Sequence, residues 1–325
     1  MTAALRVVGL TKSYGDVVAV KDVDLEIASG EIFGLVGPNG AGKTTTLRML
    51  ATLLEPTSGE AQICGLDIRS HPNSVRRVIG YMPDTFGVYD DMRVHEYLDF
   101  FARMYVIPVE RRKVIVKELL ELVDLGAKRD AYVQSLSRGM QQRLCLAHAL
   151  VHDPLVLLLD EPASGLDPRA RAELRELLRT LSAMGKTIVI SSHILPELEE
   201  LCSAVAIIDR GRVLASGSMA KIQAQFQRGV VIRAKVLGDE AARVAARDFF
   251  ADQPEIAVVD VASDGRLELA LSGDEEAAAA VLYRAMTSGH KVSSFAPVAS
   301  DLEELFLQIT GLPESDEQPQ QAVAA

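Results

Sequence analysis

The first two thirds of the chain alternate short apolar runs with stretches in which apolar residues recur at helical spacing. Apolar runs that predict strands lie at residues 5–10, 23–27, 31–36, 78–82, 155–159, 187–191 and 204–209. Helical spacing is found from residue 43, over 94–124 with a break at Pro108, over 138–151 and over 169–184. This alternation is typical of an α/β domain, and the runs that are apolar throughout predict strands covered on both faces.

The helices predicted between residues 94 and 151 interrupt the alternation and indicate a helical subdomain. Tyr14-Gly15-Asp16 predicts a turn between the first two strands. Residues 218–227 predict a closing helix, and the polar stretch 223–228 marks a boundary. We therefore expect a first domain over residues 1–228.

Residues 229–312 have their own pattern and predict a small α+β accessory domain. The predicted order is strand 230–236, helix 240–250, strands 256–261 and 267–271, helix 275–286, strand 291–295 and helix 301–309. Asp264-Gly265 is a favourable hairpin turn between the two central strands. The order is compatible with a ferredoxin-like domain, and the polar tail 313–325 predicts disorder.

Composition narrows the class of protein. The 325 residues carry a formal net charge of −11, which argues against a protein that coats nucleic acid, because phosphate neutralisation needs clustered Lys and Arg. The three cysteines form no C-x-x-C pair, which favours reduced thiols over a zinc or redox site. No signal-peptide pattern opens the chain. The most apolar run, 155–159, is far shorter than the roughly 20 residues of a membrane span, so any pore requires another chain.

A phosphate-binding motif lies between a predicted strand and a predicted helix, the context that it requires. Gly37-Pro38-Asn39-Gly40-Ala41-Gly42-Lys43-Thr44 matches the P-loop pattern G-x-x-x-x-G-K-[ST] in full, and Thr45 follows it. The glycines allow backbone N–H groups to face an anion, and the helix near Lys43 adds its positive N-terminus. We expect Lys43 to reach the β- and γ-phosphates and Thr44 to ligate Mg²⁺. An ordinary glycine-rich turn is the alternative interpretation.

An acidic pair ends the buried strand predicted at residues 155–159. Asp160, at the carboxyl end of this strand, is the candidate for holding the Mg²⁺ shell. Glu161 follows directly and is the candidate general base for an attacking water molecule. Such a pair is a weak signal alone and a strong one downstream of a P-loop.

The order of the remaining motifs resembles the ABC ATPase family over residues 5–228. Leu136-Ser137-Arg138-Gly139-Met140-Gln141-Gln142-Arg143 precedes the acidic pair, Ser164-Gly165-Leu166-Asp167 follows it, and His193 comes after the strand at 187–191. The first segment resembles the family signature, in which Arg138 stands where the family usually has glycine and Met140 where it has glutamine, while Ser137 and Gly139 are in place. Taken alone, Ser137 is better explained as a helix N-cap, and a lone histidine such as His193 at a strand end is more often structural. The order of the motifs favours the functional interpretation of both.

The resemblance implies a P-loop NTPase core of the ABC ATPase type, with an antiparallel β subdomain and the helical subdomain. It implies that Tyr14 stacks on adenine, that Asp167 belongs to the D-loop and that His193 contacts the γ-phosphate of ATP. It also implies that two copies of the chain face each other about a twofold axis. Each ATP, with Mg²⁺, would then lie between one copy's P-loop and the other copy's Ser137 and Gly139.

Two further positions, outside the signature, depart from the family pattern. Asp84 stands where the family usually has a glutamine that touches Mg²⁺. Our hypothesis is that Asp84 takes the metal role, and the alternative is that it only caps the loop at residues 84–87. His148 stands where an arginine is frequent, and we interpret it as a helix surface position.

The resemblance is closest to the bacterial branch that serves export-type permeases encoded as separate chains. The segments that carry it are residues 79–84, 89–92, 96–101 and 301–311. It implies a polytopic membrane permease as partner and a cytoplasmic location, peripheral on the inner face of the cell membrane. A soluble ABC ATPase of translation or DNA repair is the alternative, but the tandem cassettes or long coiled coil usual there are not found. A P-loop kinase or GTPase does not account for the later motifs.

Overall fold

The computed structural model describes residues 3–85, 87, 91–226, 230–261, 266–271 and 275–297. The chain divides into two compact units, residues 1–219 and 220–325. This division falls after the first residue of the helix at Met219–Phe226, whereas the sequence-based boundary was placed after the whole helix. The predicted hairpin turn at Asp264-Gly265, the helix at 301–309 and the tail at 313–325 lie outside the described residues.

The first unit combines strands and helices much as the apolar pattern predicts. Its described strands are β1 (Ala3–Tyr14), β2 (Val17–Ala28), β3 (Ile32–Val36), β4 (Ser58–Ile63), β5 (Leu66–Asp67), β6 (Ile79–Met82), β7 (Val156–Leu159), β8 (Thr187–Ser192), β9 (Ala204–Asp209) and β10 (Arg212–Ser218). Its described helices are α1 (Lys43–Leu50), α2 (Pro72–Val78), α3 (Val94–Met104), α4 (Val109–Leu122), α5 (Arg138–Leu150), α6 (Pro168–Ala183) and α7 (Leu195–Glu199).

A six-stranded sheet in the order β10-β9-β3-β8-β7-β6 organises this unit. All its neighbouring pairs are parallel except β10 with β9, at one edge. Every residue of β3, β7 and β8 is buried, as expected for strands covered on both faces. The parallel register brings the carboxyl ends of β6, β7, β3 and β8 to one edge of the sheet, where loops carry ligand-binding residues in open α/β folds.

A second sheet, β2-β1-β4-β5, is antiparallel and shares a core with the first. Leu5, Leu25 and Ile63 of the antiparallel sheet belong to the same buried cluster as Phe33 and Leu158 of the parallel one. The predicted antiparallel β subdomain is therefore confirmed. Its strand β4 was not predicted, because only Ala61 and Ile63 of its six residues are buried.

Other short elements also escaped the sequence analysis. These are β5, β10, α2 and α7, which have two, seven, seven and five residues. Strand β5 and helices α2 and α7 are too short to show a regular spacing of apolar residues, and β10 is too exposed to show one. The helical subdomain was predicted correctly: α3 and α4 are separated at Pro108, and α5 begins at Arg138.

His148 is not the surface residue that the sequence suggested. Its ring stacks on Phe101 with centroids 3.6 Å apart, so it joins α5 to α3. One turn further on, His152 stacks on Tyr105 at 3.9 Å and its Nε2 lies 2.7 Å from the Ile79 carbonyl oxygen. Burial lowers the pKa of His148 to about 4, so the neutral imidazole packs in this cluster.

The second unit contains the helix α8 (Met219–Phe226) and a four-stranded antiparallel sheet packed against helices. Its further elements are β11 (Val230–Val236), α9 (Glu240–Ala251), β12 (Ile256–Val261), β13 (Leu267–Leu271), α10 (Glu275–Thr287) and β14 (Val292–Pro297). The sheet order is β12-β13-β11-β14. This β-α-β-β-α-β order matches the predicted ferredoxin-like arrangement, and Phe250, Leu269 and Val281 lie in its core.

Across the described part of the chain, no helix has both the length and the apolar character that a bilayer span requires.

The buried His148 predicts an acid-dependent loss of stability. Its folded-state pKa of about 4 lies below the ordinary value of about 6.5, so between these values the unfolded chain binds more protons than the folded one. The free energy of unfolding therefore falls as the pH is lowered through this window. We expect His148→Phe, which keeps a ring against Phe101, to reduce the difference in unfolding free energy between pH 7 and pH 5 in urea titrations.

The control is His71→Asn, because His71 is exposed and lies outside the aromatic cluster. The change in the unfolding free energy of His71→Asn between pH 7 and pH 5 should match that of the unmodified chain. If the unfolding free energy of His148→Phe fell between pH 7 and pH 5 as much as that of the unmodified chain, buried His148 would not be a cause of the acid-dependent loss of stability.

Candidate functional site

The predicted P-loop joins β3 to α1 at the carboxyl edge of the parallel sheet, and two of its glycines leave no room for a side chain. A Cβ on Gly37 would lie 2.2 Å from the carbonyl oxygen of Ile208. Gly42, the residue before α1, has φ +106°, and a Cβ there would lie 2.6 Å from the Ala19 oxygen. Both the backbone conformation and the packing therefore require glycine at Gly42.

Lys43 turns back into this loop rather than toward solvent. The side chain is 5% exposed, and its Nζ donates to the carbonyl oxygens of Gly37 at 2.6 Å and Pro38 at 3.2 Å. The same Nζ lies 3.2 Å from Glu161 Oε1, an ion pair without hydrogen-bond geometry. The structure thus brings together the cation and one acidic residue singled out in the sequence.

Asp160 is the buried anion of the site. It is 1% exposed, and its Oδ1 accepts hydrogen bonds from Thr44 Oγ1 at 3.0 Å and Ser191 Oγ at 2.7 Å. Burial raises the pKa of Asp160, and the charges of Glu161 and Asp84 raise it further. Its Oδ2 is buried without a hydrogen-bond partner. A carboxylate oxygen left unpaired beside a threonine hydroxyl fits a hard divalent cation such as Mg²⁺.

Glu161 has a backbone conformation that is uncommon for a residue with a side chain. Its φ is +48°, and its N–H donates to Ser191 Oγ at 2.9 Å. Its Oε2 lies 2.9 Å from His193 Nδ1, after the neighbouring strand β8. The acidic residue therefore stands between Lys43 and His193, with one carboxylate oxygen toward each.

Asp84 is exposed and follows β6, whose parallel pairing with β7 puts Asp84 and Asp160 at the same edge of the sheet. The charge of Asp84 contributes to the raised pKa of Asp160. Among the described contacts of Asp84 no hydrogen bond or ion pair is found.

The remaining P-loop residues and Tyr14 differ in their exposure. Asn39 and Gly40 are exposed at the tip of the loop, Ala41 is buried, and Thr45 is half-buried in the first turn of α1. Tyr14 is 50% exposed at the end of β1, where Lys12 Nζ lies 5.3 Å from the centre of its ring. Its hairpin partner β2 supplies the Ala19 carbonyl group that lies against Gly42.

Ser137, Gly139 and Asp167 line a separate cleft of about 380 Å³, which includes none of the P-loop residues. Ser137 caps α5, its Oγ accepting from the Met140 N–H at 3.4 Å. Asp167 caps α6 in the same way, through the Ala170 N–H at 2.8 Å. A Cβ on Gly139 would lie 3.2 Å from Ala170 Cβ, so the two helix N-termini are packed together.

Sequence reasoning missed Ser191 and Gln142. Ser191 Oγ bridges Asp160 Oδ1 and the Glu161 N–H, while buried Gln142 donates from Nε2 to the Pro162 carbonyl oxygen at 2.5 Å. The signal for Ser191 was its position as the polar end of an apolar strand beside β7. The signal for Gln142 was a polar residue on the apolar face of α5.

Comparison with known proteins agrees with this geometry. Residues 20–164 match the ABC transporter family. The Nod factor export ATP-binding protein I of Ralstonia nicotianae is 37% identical over 312 residues, which cover 95% of this chain and 94% of the relative. The protein of the same name from Cupriavidus metallidurans is 42% identical over 241 residues, or 74% of this chain and 78% of the relative.

Solved structures show the same likeness. An ATP-binding subunit of an ABC transporter has a TM-score of 0.63 and 32% identity, covering 69% of this chain and 93% of its own. A dimeric post-hydrolysis state of an ATP-binding cassette, bound to ADP and Pi, has a TM-score of 0.61 and 26% identity, covering 66% of this chain and 98% of its own. A relative that is 37% identical matches 95% of this chain, and the fold is that of the solved subunits. This chain therefore belongs to the ATP-binding subunits of ABC transporters.

Proposed function

We propose that this chain hydrolyses ATP with Mg²⁺ at the carboxyl edge of its parallel sheet and thereby drives a separate membrane permease. The observation that carries the proposal is the cluster of Lys43, Thr44, Asp160, Glu161 and His193 at one point of that edge. The family membership supports ATP hydrolysis; the role of each residue is our inference.

The backbone N–H groups of the P-loop, which Pro38 lacks, and the N-terminus of α1 would receive the β- and γ-phosphates of ATP. Lys43 would exchange its carbonyl partners for phosphate oxygens. Tyr14, exposed beside this loop, would offer its ring to the adenine.

Thr44 and Asp160 would hold Mg²⁺, with Asp84 as a third oxygen donor from the solvent side. When bound, the cation would neutralise charge on the β- and γ-phosphates. The raised pKa of Asp160 supports this role, because a buried carboxylate without a nearby ion pair is stabilised by a cation.

Glu161 would act as the general base. Its carboxylate is fixed by Ser191 through the backbone and by His193 through Oε2, so it can accept a proton from a water molecule aimed at the γ-phosphate. His193 would orient Glu161 and contact the γ-phosphate. Lys43 would stabilise the negative charge that develops on the transferred phosphoryl group.

We further propose that the active unit is a homodimer. Ser137 and Gly139 lie in a cleft apart from the P-loop of the same chain, so a complete nucleotide site needs these residues from a second copy. The likeness to a dimeric cassette supports an isologous pair about a twofold axis. Binding of ATP between the copies would favour the closed dimer, and hydrolysis would release it.

Export is the proposed direction, supported by relatives whose names contain the word export. The permease would place this chain peripherally on the cytoplasmic face of the membrane. A soluble ABC ATPase without a permease is the alternative, and it is not favoured by these relatives.

The permease proposal is tested by affinity purification of the full chain from gently solubilised membranes, followed by mass identification. We expect a polytopic membrane protein in stoichiometric amount. Recovery of the chain from the cytosol with ribosomes or DNA, or alone, would leave the ATPase chemistry intact and remove the permease from the proposal.

Replacement of the proposed general base should separate ATP binding from hydrolysis. We expect Glu161→Gln to lower kcat for ATP hydrolysis by at least about 100-fold, because the amide cannot accept the proton from water. ATP binding should persist, and the variant should elute as a dimer with ATP in size-exclusion chromatography. Glu60→Gln, at an exposed position of β4, is the control and should retain full activity. Activity of Glu161→Gln close to that of the control would show that another group is the base.

The metal role is tested by neutralising each carboxylate. At neutral pH the ionised Asp160 lowers stability without metal, since its pKa is raised in the folded state above the unfolded value. We therefore expect Asp160→Asn to keep or increase the Tm without ligand and to lose the rise in Tm caused by MgATP. Asp84→Asn should also weaken the Mg²⁺ dependence of hydrolysis, but by less than Asp160→Asn does. An unchanged Mg²⁺ dependence in Asp84→Asn would remove Asp84 from the metal site.

A further inference from the structure

Residues 162–167 connect Glu161 with Asp167, and side chains from other elements hold their backbone at alternate carbonyl groups. Gln142 Nε2 donates to the Pro162 oxygen at 2.5 Å, and Arg138 Nη2 to the Ser164 oxygen at 3.2 Å. Arg171 Nε donates to the Leu166 oxygen at 3.0 Å. We call residues 162–167 the connecting segment. Two of its three donors belong to α5, the helix that Ser137 caps.

Arg138 makes the closest approach to this segment. Gly165 has φ +67°, and a Cβ there would lie 2.6 Å from Arg138 Cζ, so the guanidinium group lies directly on the glycine. Gly139, the next residue, is packed against Leu166 and Ala170 on the other side of the same turn. The planar guanidinium group suits this place because it can cover a flat backbone surface and donate to a carbonyl group at once.

The far side of the connecting segment is tied to the histidine that faces Glu161. Arg171, which holds Leu166, also lies 3.0 Å from Glu197 Oε1 through Nη1. The other oxygen of Glu197 accepts from Ser192 Oγ at 3.4 Å, and Ser192 directly precedes His193. A continuous set of contacts therefore runs from the N-terminus of α5, through the connecting segment, to His193.

Stability alone gives no reason for Arg138. Its side chain is exposed, and a hydrogen bond from an exposed group to a backbone carbonyl contributes little to folding. Its contacts instead fix the position of one surface loop relative to another. Rigid placement of a functional loop affects the rate of a reaction more than the stability of the fold.

We propose that Arg138 is a positioning residue that couples the Ser137–Gly139 turn to Glu161 through the connecting segment. The inference rests on the proposed function, in which the second copy's ATP contacts Ser137 and Gly139. Movement of that turn on ATP binding would then move the backbone beside Glu161 and, through Arg171 and Glu197, beside His193. Arg138 acts through the backbone and does not touch the nucleotide.

The test measures ATP hydrolysis by the full chain as a function of ATP concentration in Arg138→Ala and in Arg179→Ala. Arg179 is also exposed and donates from Nη2 to a backbone carbonyl oxygen, that of Glu200 at 2.7 Å, but it lies outside the cleft of Ser137 and Gly139, which makes it a matched control. We expect Arg138→Ala to lower kcat about tenfold, with KM for ATP changed less than about twofold. The Hill coefficient should fall toward 1, and the Tm should be unchanged. Arg179→Ala should behave as the unmodified chain.

A double-mutant cycle with Gly165→Ala separates positioning from a general effect of lost charge. In the unmodified background, Gly165→Ala should lower kcat strongly, since the new methyl group meets the guanidinium group. In the Arg138→Ala background the additional loss should be smaller by about threefold or more.

Two results would overturn the proposal. A raised KM with an unchanged kcat in Arg138→Ala would mean that Arg138 contacts ATP itself. Equal kcat values for Arg138→Ala and Arg179→Ala, with additive effects in the cycle, would mean that Arg138 positions nothing. Absence of ATP hydrolysis in the unmodified chain would instead refute the proposed function, so the two failures are distinguishable.

Discussion

The buried carboxylate of Asp160 is the constraint on which the rest of the first unit depends. A charge that is 1% exposed is costly unless it is bonded, and Thr44 and Ser191 each donate a hydroxyl group to one of its oxygens. These bonds join β7 to α1 on one side and to β8 on the other. The parallel sheet thus has the register that gathers the P-loop, the acidic pair and the histidine loop at one edge.

The sequence predicted the parts of this arrangement that follow from periodicity and from short motifs. Fully apolar runs such as residues 155–159 predict strands that are buried on both faces of the sheet. Strand β9 was predicted at its observed bounds. The P-loop and the acidic pair lie at the ends of such strands. Their convergence follows from the parallel pairing of β3, β8 and β7.

The remainder depends on tertiary contacts that no local pattern encodes. The strand β4 has little apolar alternation and forms only because β1 offers it a partner. His148 looked like a surface residue, since its burial is created by Phe101 from another helix. Ser191 could be predicted as a strand end, but its two hydrogen bonds to the acidic pair require the register of β7 and β8.

The same argument explains how a departure from a motif becomes meaningful. Arg138 stands where the family usually has glycine, so it adds a large charged group to the turn that contains Ser137 and Gly139. In the fold its guanidinium group lies over Gly165, whose positive φ and missing side chain leave room for it. Arg138 and Gly165 are therefore one feature of the structure, although they lie 27 positions apart along the chain. The turn at Ser137 and the edge of the sheet at Glu161 are connected by backbone that side chains hold from both sides. These contacts are the physical basis of the proposed coupling between the two places.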